Sequence, residues 1–279
     1  MTETPAPELF RLDGRVALVT GGAGLLGQRY CEALLEAGAR VVIGDLDSGR
    51  AAELARQLSA ADVLGTSLDV ADEASVHACV EAAKDRFGRL DILVNNAALT
   101  VRGGSETLDP ADYFARFEDY KRGIWEQALA VNLTGMVLCA QAAGRQMLQQ
   151  GGGVMVNISS TYGVVAPDQR LYEGVKSPYG EVGFNTPVSY AVTKTAVLGL
   201  TRYLATYWGR QNIRVNALTP HGVYDNHDAT FVSNFVARSP LGRMARNDEY
   251  RGALLFLVSD ASSYMTGANL VVDGGWTAW

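Results

Sequence analysis

The sequence predicts an α/β fold: a doubly wound, seven-stranded parallel sheet with helices on both faces. Three observations carry that expectation. Short runs rich in β-branched residues alternate with longer segments whose apolar residues recur at helical spacing. The short runs are apolar without alternation, as expected of strands buried on both sides. A glycine-rich turn joins the first run to the first helical segment.

Taken in order, the strands fall at 16–20, 41–45, 63–68, 92–95, 154–158, 213–217 and 270–272, and the clearest helices at 25–37, 48–59 and 72–87. No repeat and no interdomain linker interrupts them, so residues 1–279 read as one domain. Two stretches break the rhythm. Residues 100–123 are rich in charged and aromatic side chains, and residues 161–188 carry Gly, Pro and Tyr without a clear period. Both follow strands, and in open α/β sheets ligands bind beyond the carboxyl ends of the strands. They are therefore candidate walls of a substrate pocket, with surface insertion or an oligomer contact as the alternative.

Composition narrows the class. Hydrophobic residues make up 48% of 279, enough to bury a sizeable core. Lys and Arg total 24 against 30 Asp and Glu, a formal charge of −6 with no basic patch, which argues against nucleic acid as the main partner. The opening MTETPAPELF has no basic flank and apolar run of a secretion signal, and no stretch approaches the roughly 20 apolar residues of a membrane span. Cys31, Cys79 and Cys139 are widely separated and read as small buried hydrophobes in a reducing compartment. A cytoplasmic protein with no membrane partner is expected.

The first turn holds Gly21, Gly24 and Gly27, spaced three apart between strand and helix. Glycines there let the backbone turn tightly and approach a pyrophosphate held at the positive end of the helix. This is the dinucleotide-binding signature of a Rossmann fold, in the strand–turn–helix context it requires. The second strand ends at Asp45, eighteen residues after Gly27. A carboxylate there accepts hydrogen bonds from ribose hydroxyls and repels a 2′-phosphate. Asp47 adds negative charge and no Arg or Lys stands beside Asp45, so NAD is favoured over NADP. A helix-capping role suits Asp47 or Ser48 better than Asp45. The third strand ends at Asp69-Val70 and the fourth at Asn95-Asn96-Ala97-Ala98, where the adenine and the cofactor-side ribose would rest; Asp69 alone also fits a turn or cap.

Tyr190 and Lys194 form YAVTK, an i, i+4 pair on one helical face. A phenol with a pKa near about 10 is a poor acid/base at neutral pH, and a nearby ammonium, like the charge of an oxidised nicotinamide, lowers that pKa. The fifth strand runs into Asn157-Ile158-Ser159-Ser160, which puts a hydroxyl at the sheet edge. Asn132 lies within a helical stretch, where it reads as a helix-bending or water-binding residue.

In order and spacing, TGGAGLLG, Asp45, Asp69-Val70, NNAA, Asn132, NISS, YAVTK, RVNALTP and YMTGANLVVDGG resemble the short-chain dehydrogenase/reductase family from about Leu12 to Gly275. The resemblance implies Tyr190 as general acid/base. Ser160, second of the serine pair, would orient the reacting oxygen. Lys194 would hold the nicotinamide ribose and lower the tyrosine pKa, and Asn132 would support a water relaying protons to Lys194. It implies cofactor contacts from Gly21, Gly24, Leu26, Gly27, Asp45, Leu46, Asp69, Val70, Asn96, Ala97, Tyr190, Lys194 and Val223, and a homotetramer or homodimer.

The departures are specific. Leu25 stands where single-domain members carry glycine, closer to the extended, sugar-nucleotide branch, although this chain ends too soon for that branch's substrate region. His221 replaces the usual glycine after Pro220; it reads as a substrate contact, a second proton group or a loop histidine half in solvent. Thirty residues separate Ser160 from Tyr190, a wider gap than typical, and the surplus is the Tyr-rich 161–188 segment.

TYGVVAPD, YEG and TPVSYAVTK are similar to members associated with bacterial sugar and surface-glycan biosynthesis. The second insertion carries Tyr162, Asp168, Gln169, Arg170, Tyr172, Glu173, Lys176 and Tyr179, a mixture that suits a polyol better than a long acyl chain. Oxidation of a secondary alcohol on a sugar, sugar derivative or cyclitol to a ketone is the resulting expectation. Alternatives are a 3-oxoacyl thioester reductase, a non-catalytic NAD-binding regulator, and an epimerase or dehydratase. His227 with Asp225 and Asp228 is too sparse a donor set for a metal, so no metal site is expected. Trp276 and Trp279 read as interface or core anchors.

Overall fold

The computed structural model describes residues 4–101, 108–177, 179 and 184–279. The apolar runs form seven strands: β1 Val16–Thr20, β2 Arg40–Asp45, β3 Val63–Ser67, β4 Ile92–Asn95, β5 Gly153–Ile158, β6 Ile213–Pro220 and β7 Asn269–Val272. All pair in parallel, in the order β3-β2-β1-β4-β5-β6-β7. The helices are α1 Leu25–Glu36, α2 Ser48–Leu58, α3 Glu73–Phe87, α4 Pro110–Tyr113, α5 Arg122–Leu129, α6 Gly135–Gln149, α7 Val188–Trp208, α8 Ala229–Val236 and α9 Arg251–Val258.

Successive strand residues point to opposite faces, and the sheet uses both. Ala17, Val19, Ile43, Ile92, Val94 and Val156 face one side, where α1, α2 and α9 bring Leu34, Leu54 and Leu254 against them. Val16, Leu18, Val42, Leu93, Met155 and Val215 face the other, against Val80 of α3, Met147 of α6 and Leu204 of α7. Burying one such side chain contributes about 1.5–3 kcal/mol, so two buried faces give the sheet its stability. The three cysteines lie buried within these layers, and burial pushes each thiol above its ordinary range, leaving them unreactive as thiolates.

Strand order reverses where β1 lies between β2 and β4, and a crevice opens there beyond the carboxyl ends. Local chemistry fixes the helices around it. Asp47 caps α2 by accepting from the Arg50 amide at 2.9 Å, and Asp72 caps α3 through the Ala74 amide at 3.0 Å. Between α5 and α6, residues Ala130–Thr134 form a π-helical turn with Asn132 at its centre.

The described parts of the two arrhythmic stretches fold locally, while residues 102–107, 178 and 180–183 lie outside the described residues. Within the first, α4 and a 3-10 turn at Phe117–Asp119 precede α5. Within the second, 3-10 turns form at Thr161–Gly163 and Gln169–Tyr172 before Pro187 opens α7. They pack on each other: the Phe114 ring lies 4.4 Å from Phe184 and 5.6 Å from Tyr179, and Asn185 donates to the Phe114 carbonyl at 2.6 Å. The second unit also docks on α8, where Tyr172 stacks on Phe231 at 5.5 Å and Asn234 holds the Leu171 carbonyl at 3.1 Å. Trp276 completes this third apolar cluster, whereas Trp279 is 84% exposed and anchors no core. No helix among the described residues is long and apolar enough to cross a membrane.

Candidate active site

A cleft of about 760 Å³ runs along the carboxyl ends of β1, β2, β4 and β5. Gly21 adopts φ +62°, and a Cβ there would lie 3.0 Å from the Ala97 Cα, so the turn approaches β4 as only glycine allows. Gly24 caps α1 and, with Leu25 and Leu26, lines the cleft at the positive end of that helix. Gly27 does not line it. A Cβ at Gly27 would meet the Gly21 carbonyl at 2.2 Å, so this glycine is needed for α1 to pack behind the turn.

At the far end Asp45 faces the cleft beside Leu46, and its carboxylate accepts from the Ala23 amide at 3.0 Å and the Asp47 amide at 3.2 Å. Asp69 and Val70 form the wall after β3, and Asp69 also accepts from the Ala71 amide at 2.9 Å. Asn96 and Ala97 form the floor. They are held by Thr20, whose hydroxyl accepts from both their amides at 3.0 Å, while the Asn96 side chain donates to the carbonyls of Thr20 and Gly21 at 3.0 Å. Val223 lines the cleft after β6, fixed by its bridge to Ala245. The expectation that no cation stands near Asp45 needs correction: Arg50, one turn into α2, comes back to the cleft edge.

Tyr190 sits in the first turn of α7 and Lys194 one turn later, and both reach the cleft. Lys194 is 2% exposed; its Nζ donates to the Ile158 carbonyl at 2.7 Å and lies 5.8 Å from the Tyr190 ring centre. Burial lowers its pKa to about 8. Ser159 and Ser160 part ways: the Ser159 hydroxyl donates to the Lys194 carbonyl at 2.8 Å, whereas the Ser160 hydroxyl accepts from the Tyr162 amide at 3.2 Å and lies near enough to the Tyr190 phenol to pull its pKa down. The expected acidification of that phenol is not found in the protein alone. Burial raises the Tyr190 pKa, Ser160 only partly opposes it, and the Lys194 ammonium is directed at Ile158 instead.

Asn132 stands behind the cleft, 1% exposed. Its Oδ1 accepts from the Leu99 amide at 2.7 Å, and its Nδ2 donates to Thr193 Oγ1 at 3.1 Å. Thr193 in turn donates to the carbonyls of Ser189 and Tyr190 at 2.7 and 3.1 Å. The amide thus joins the β4 loop to the helix that carries Tyr190. Thr20 and Thr193 were not singled out from the sequence; a hydroxyl ending an apolar strand, and another inside YAVTK, were the available signals.

The insertion is less open to ligand than its composition suggests. Tyr172 shares a hydrogen bond with Thr186 at 2.8 Å, Tyr179 donates to the Val101 carbonyl at 3.2 Å, and Asp168 pairs with Arg170 and Arg238. His221 is half-buried among aromatic rings, 4.8 Å from Phe235, 4.4 Å from Trp276 and 5.8 Å from Tyr162, and burial lowers its pKa to about 4. His227 accepts from the Asp225 amide at 3.1 Å, and no metal-holding cluster occurs among the described residues.

The positive-φ glycine turn, the helix terminus behind it and the carboxylate at the end of β2 fit a nicotinamide dinucleotide laid across the switch point. A family model described as short chain dehydrogenase matches residues 15–172, and one described as enoyl-(acyl carrier protein) reductase matches residues 176–277. The chain belongs to the short-chain dehydrogenase family. This dehydrogenase is 37% identical over 278 residues to D-threitol dehydrogenase of Mycolicibacterium smegmatis, covering 96% of this chain and 95% of that one. It is 39% identical over 278 residues to trans-4-hydroxycyclohexanecarboxylate dehydrogenase of Sinomonas cyclohexanicum, with the same coverage of 96% and 95%. The crystal structure of a gluconate 5-dehydrogenase from Burkholderia cenocepacia, in complex with NADP and tartrate, superposes with TM-score 0.81 at 34% identity over 99% of this chain and 100% of that one. The protein is an oxidoreductase acting on CH–OH groups with a nicotinamide cofactor.

Proposed function

We propose that this single-domain protein oxidises a secondary alcohol of a polyol, sugar derivative or cyclitol to the ketone, with NAD as the preferred cofactor. The observation that carries the reading is the meeting of Tyr190 and Lys194 in the cleft, with Ser160 beside the phenol. The preference for NAD rests on Asp45 facing the ribose end. Relatives named for threitol and hydroxycyclohexanecarboxylate support a compact, hydroxylated substrate.

In this reading the Ser160 hydroxyl holds the substrate oxygen and steadies charge on it. Tyr190, whose ionisation the positive charge of a bound oxidised nicotinamide would favour against its burial, takes the hydroxyl proton as the alcohol is oxidised, and returns it in the reverse direction. When bound, the nicotinamide supplies the hydride acceptor. Lys194 holds the nicotinamide ribose and passes the proton onward, and Asn132 keeps the water path to Lys194 in place. Gly21, Gly24, Leu26, Gly27, Asp45, Leu46, Asp69, Val70, Asn96, Ala97 and Val223 shape the dinucleotide site, Gly27 by packing. Thr100 and Leu108 of the first insertion line the cleft, and the two insertions meet behind at Phe114, Tyr179 and Phe184. A cytoplasmic homotetramer or homodimer is the form we propose.

The test is NADH formation across polyols, sugars, cyclitols, hydroxycyclohexanecarboxylates and hydroxyacyl thioesters. Turnover of polyols or cyclitols supports the reading. Turnover confined to acyl thioesters reverses it in favour of an acyl reductase.

A further inference from the structure

The helix that carries Tyr190 starts without the device that starts several of its neighbours. Helices α2, α3 and α8 each open on an aspartate, Asp47, Asp72 or Asp228, whose carboxylate accepts a first-turn amide. Helix α7 opens on Pro187, which makes no side-chain cap. The first amides of a helix have no partners within it, so an uncapped first turn is the part that frays. Tyr190 is the third residue of that turn. A reacting centre tolerates little of this, since a misplacement of about 1 Å can cost about a hundredfold in rate.

Lateral ties take the place of the cap. Tyr120 stands just before α5, in the first insertion, and its hydroxyl shares a hydrogen bond with Ser189 Oγ at 2.7 Å. Ser189 is the residue before Tyr190 and is fully buried, where a hydroxyl without a partner is costly. At its carbonyl Ser189 accepts from Thr193 Oγ1 at 2.7 Å, and that hydroxyl in turn accepts from the Asn132 side chain at 3.1 Å. Asn132 lies just after α5, in the π-helical turn. Helix α5 therefore grips the first turn of α7 from both of its own ends, through Asn132 and Thr193 at one and through Tyr120 at the other. The two grips converge on Ser189, next to the phenol.

We propose that Tyr120 is a positioning residue for the reaction: by holding Ser189 it fixes the first turn of α7, and so the place of the Tyr190 oxygen. It acts through Ser189 and not by contact with substrate or cofactor. The inference rests on the proton-transfer role given to Tyr190 above, and gives the first insertion a task beyond lining the cleft.

The experiment compares the wild type with Tyr120→Phe, Ser189→Ala and the double variant, on whichever alcohol is turned over best. It reads kcat, KM, NADH binding, and hydrogen exchange of the amides in the first turn of α7. Phenylalanine keeps the ring and removes only the hydroxyl. Each single substitution should lower kcat by about threefold to tenfold, the worth of one hydrogen bond. KM and the NADH dissociation constant should stay within about twofold, while the first-turn amides exchange faster. The double variant should be no slower than the slower single one, because both remove the same bond. A wild-type kcat for Tyr120→Phe would overturn the proposal even if exchange quickens, since the tie would then serve stability alone. Losses that multiply in the double variant would overturn it too, as would NADH binding weakened as much as kcat. Tyr190→Phe, run alongside, separates the two readings. If it is inactive while Tyr120→Phe is fully active, only the present inference fails; if it keeps wild-type turnover, the role of Tyr190 fails with it.

Discussion

The Ser159 hydroxyl donates to the main-chain carbonyl of Lys194 at 2.8 Å, which ties the end of β5 to the second turn of α7. A Cβ on Gly163 would fall 2.6 Å from that hydroxyl and 2.5 Å from that carbonyl, so the following 3-10 turn folds directly over the tie. Ser160, one residue later on the extended chain, instead accepts from the Tyr162 amide at 3.2 Å, near the Tyr190 phenol. Two adjacent serines thus hold different partners, Ser159 the Lys194 carbonyl and Ser160 the Tyr162 amide beside Tyr190.

Substitution should separate them. Ser160→Ala is expected to lower kcat by about a hundredfold to a thousandfold, the usual cost of losing a group that steadies developing oxygen charge, with a stability loss of about 1 kcal/mol from the lost cap on the Tyr162 amide. Ser159→Ala is expected to cost about 1 kcal/mol of stability through a lost buried hydrogen bond, and activity only indirectly. Parallel kinetics and urea denaturation check both, and a reversed ranking in kcat would reassign the pair.

Gly27→Ala provides a test of the cofactor turn. Its new methyl would lie 2.2 Å from the Gly21 carbonyl and 2.8 Å from the Gly22 Cα, both backbone atoms that cannot swing away. Overpacking of this kind costs about 1–3 kcal/mol, and here it also displaces the turn that Gly21 forms. Weaker NADH binding together with a lower Tm is the expected result. Unchanged NADH affinity would mean that α1 can shift without moving the turn.

Most of the sheet was legible in the residues, because local apolar runs decide it: β1 and β4 fall on the bounds that their sequence predicts. Strand β6 extends to Pro220, past the expected end at 217, because its last residues pair with β7 fifty residues on. No local pattern carries that pairing. The same holds at the site. Gly21, Asp45, Tyr190 and Lys194 announce themselves by spacing. Arg50 does not, since what matters is the return of a long side chain over a turn twenty-seven residues earlier. Composition misled for the insertion, where Tyr172 and Tyr179 spend their hydroxyls on Thr186 and Val101. Nor does the YAVTK spacing show that burial raises the Tyr190 pKa, opposed by Ser160.

His221 predicts a pH dependence of stability. Its pKa is lowered from 6.5 to about 4 by burial, against a smaller opposing pull from Asp273. The unfolded chain therefore binds a proton between these values that the folded protein refuses. The stability linked to this neutral imidazole is complete above pH 6.5 and is lost as pH falls towards 4. Thermal melts across that window should fall more steeply for the wild type than for His221→Phe, which cannot titrate. Parallel curves for the two proteins would show that the ring is solvated and free to charge.

The central claim is that one phenol, Tyr190, moves the proton while the rest of the cleft holds the cofactor. Its most direct measurement pairs turnover with NADH binding for the wild type and Tyr190→Phe, on whichever alcohol of the substrate panel is used best. Loss of the phenolic oxygen should cut kcat by about a thousandfold or more while the NADH dissociation constant moves less than about threefold. Turnover that survives the substitution at anything near the wild-type rate would contradict the account.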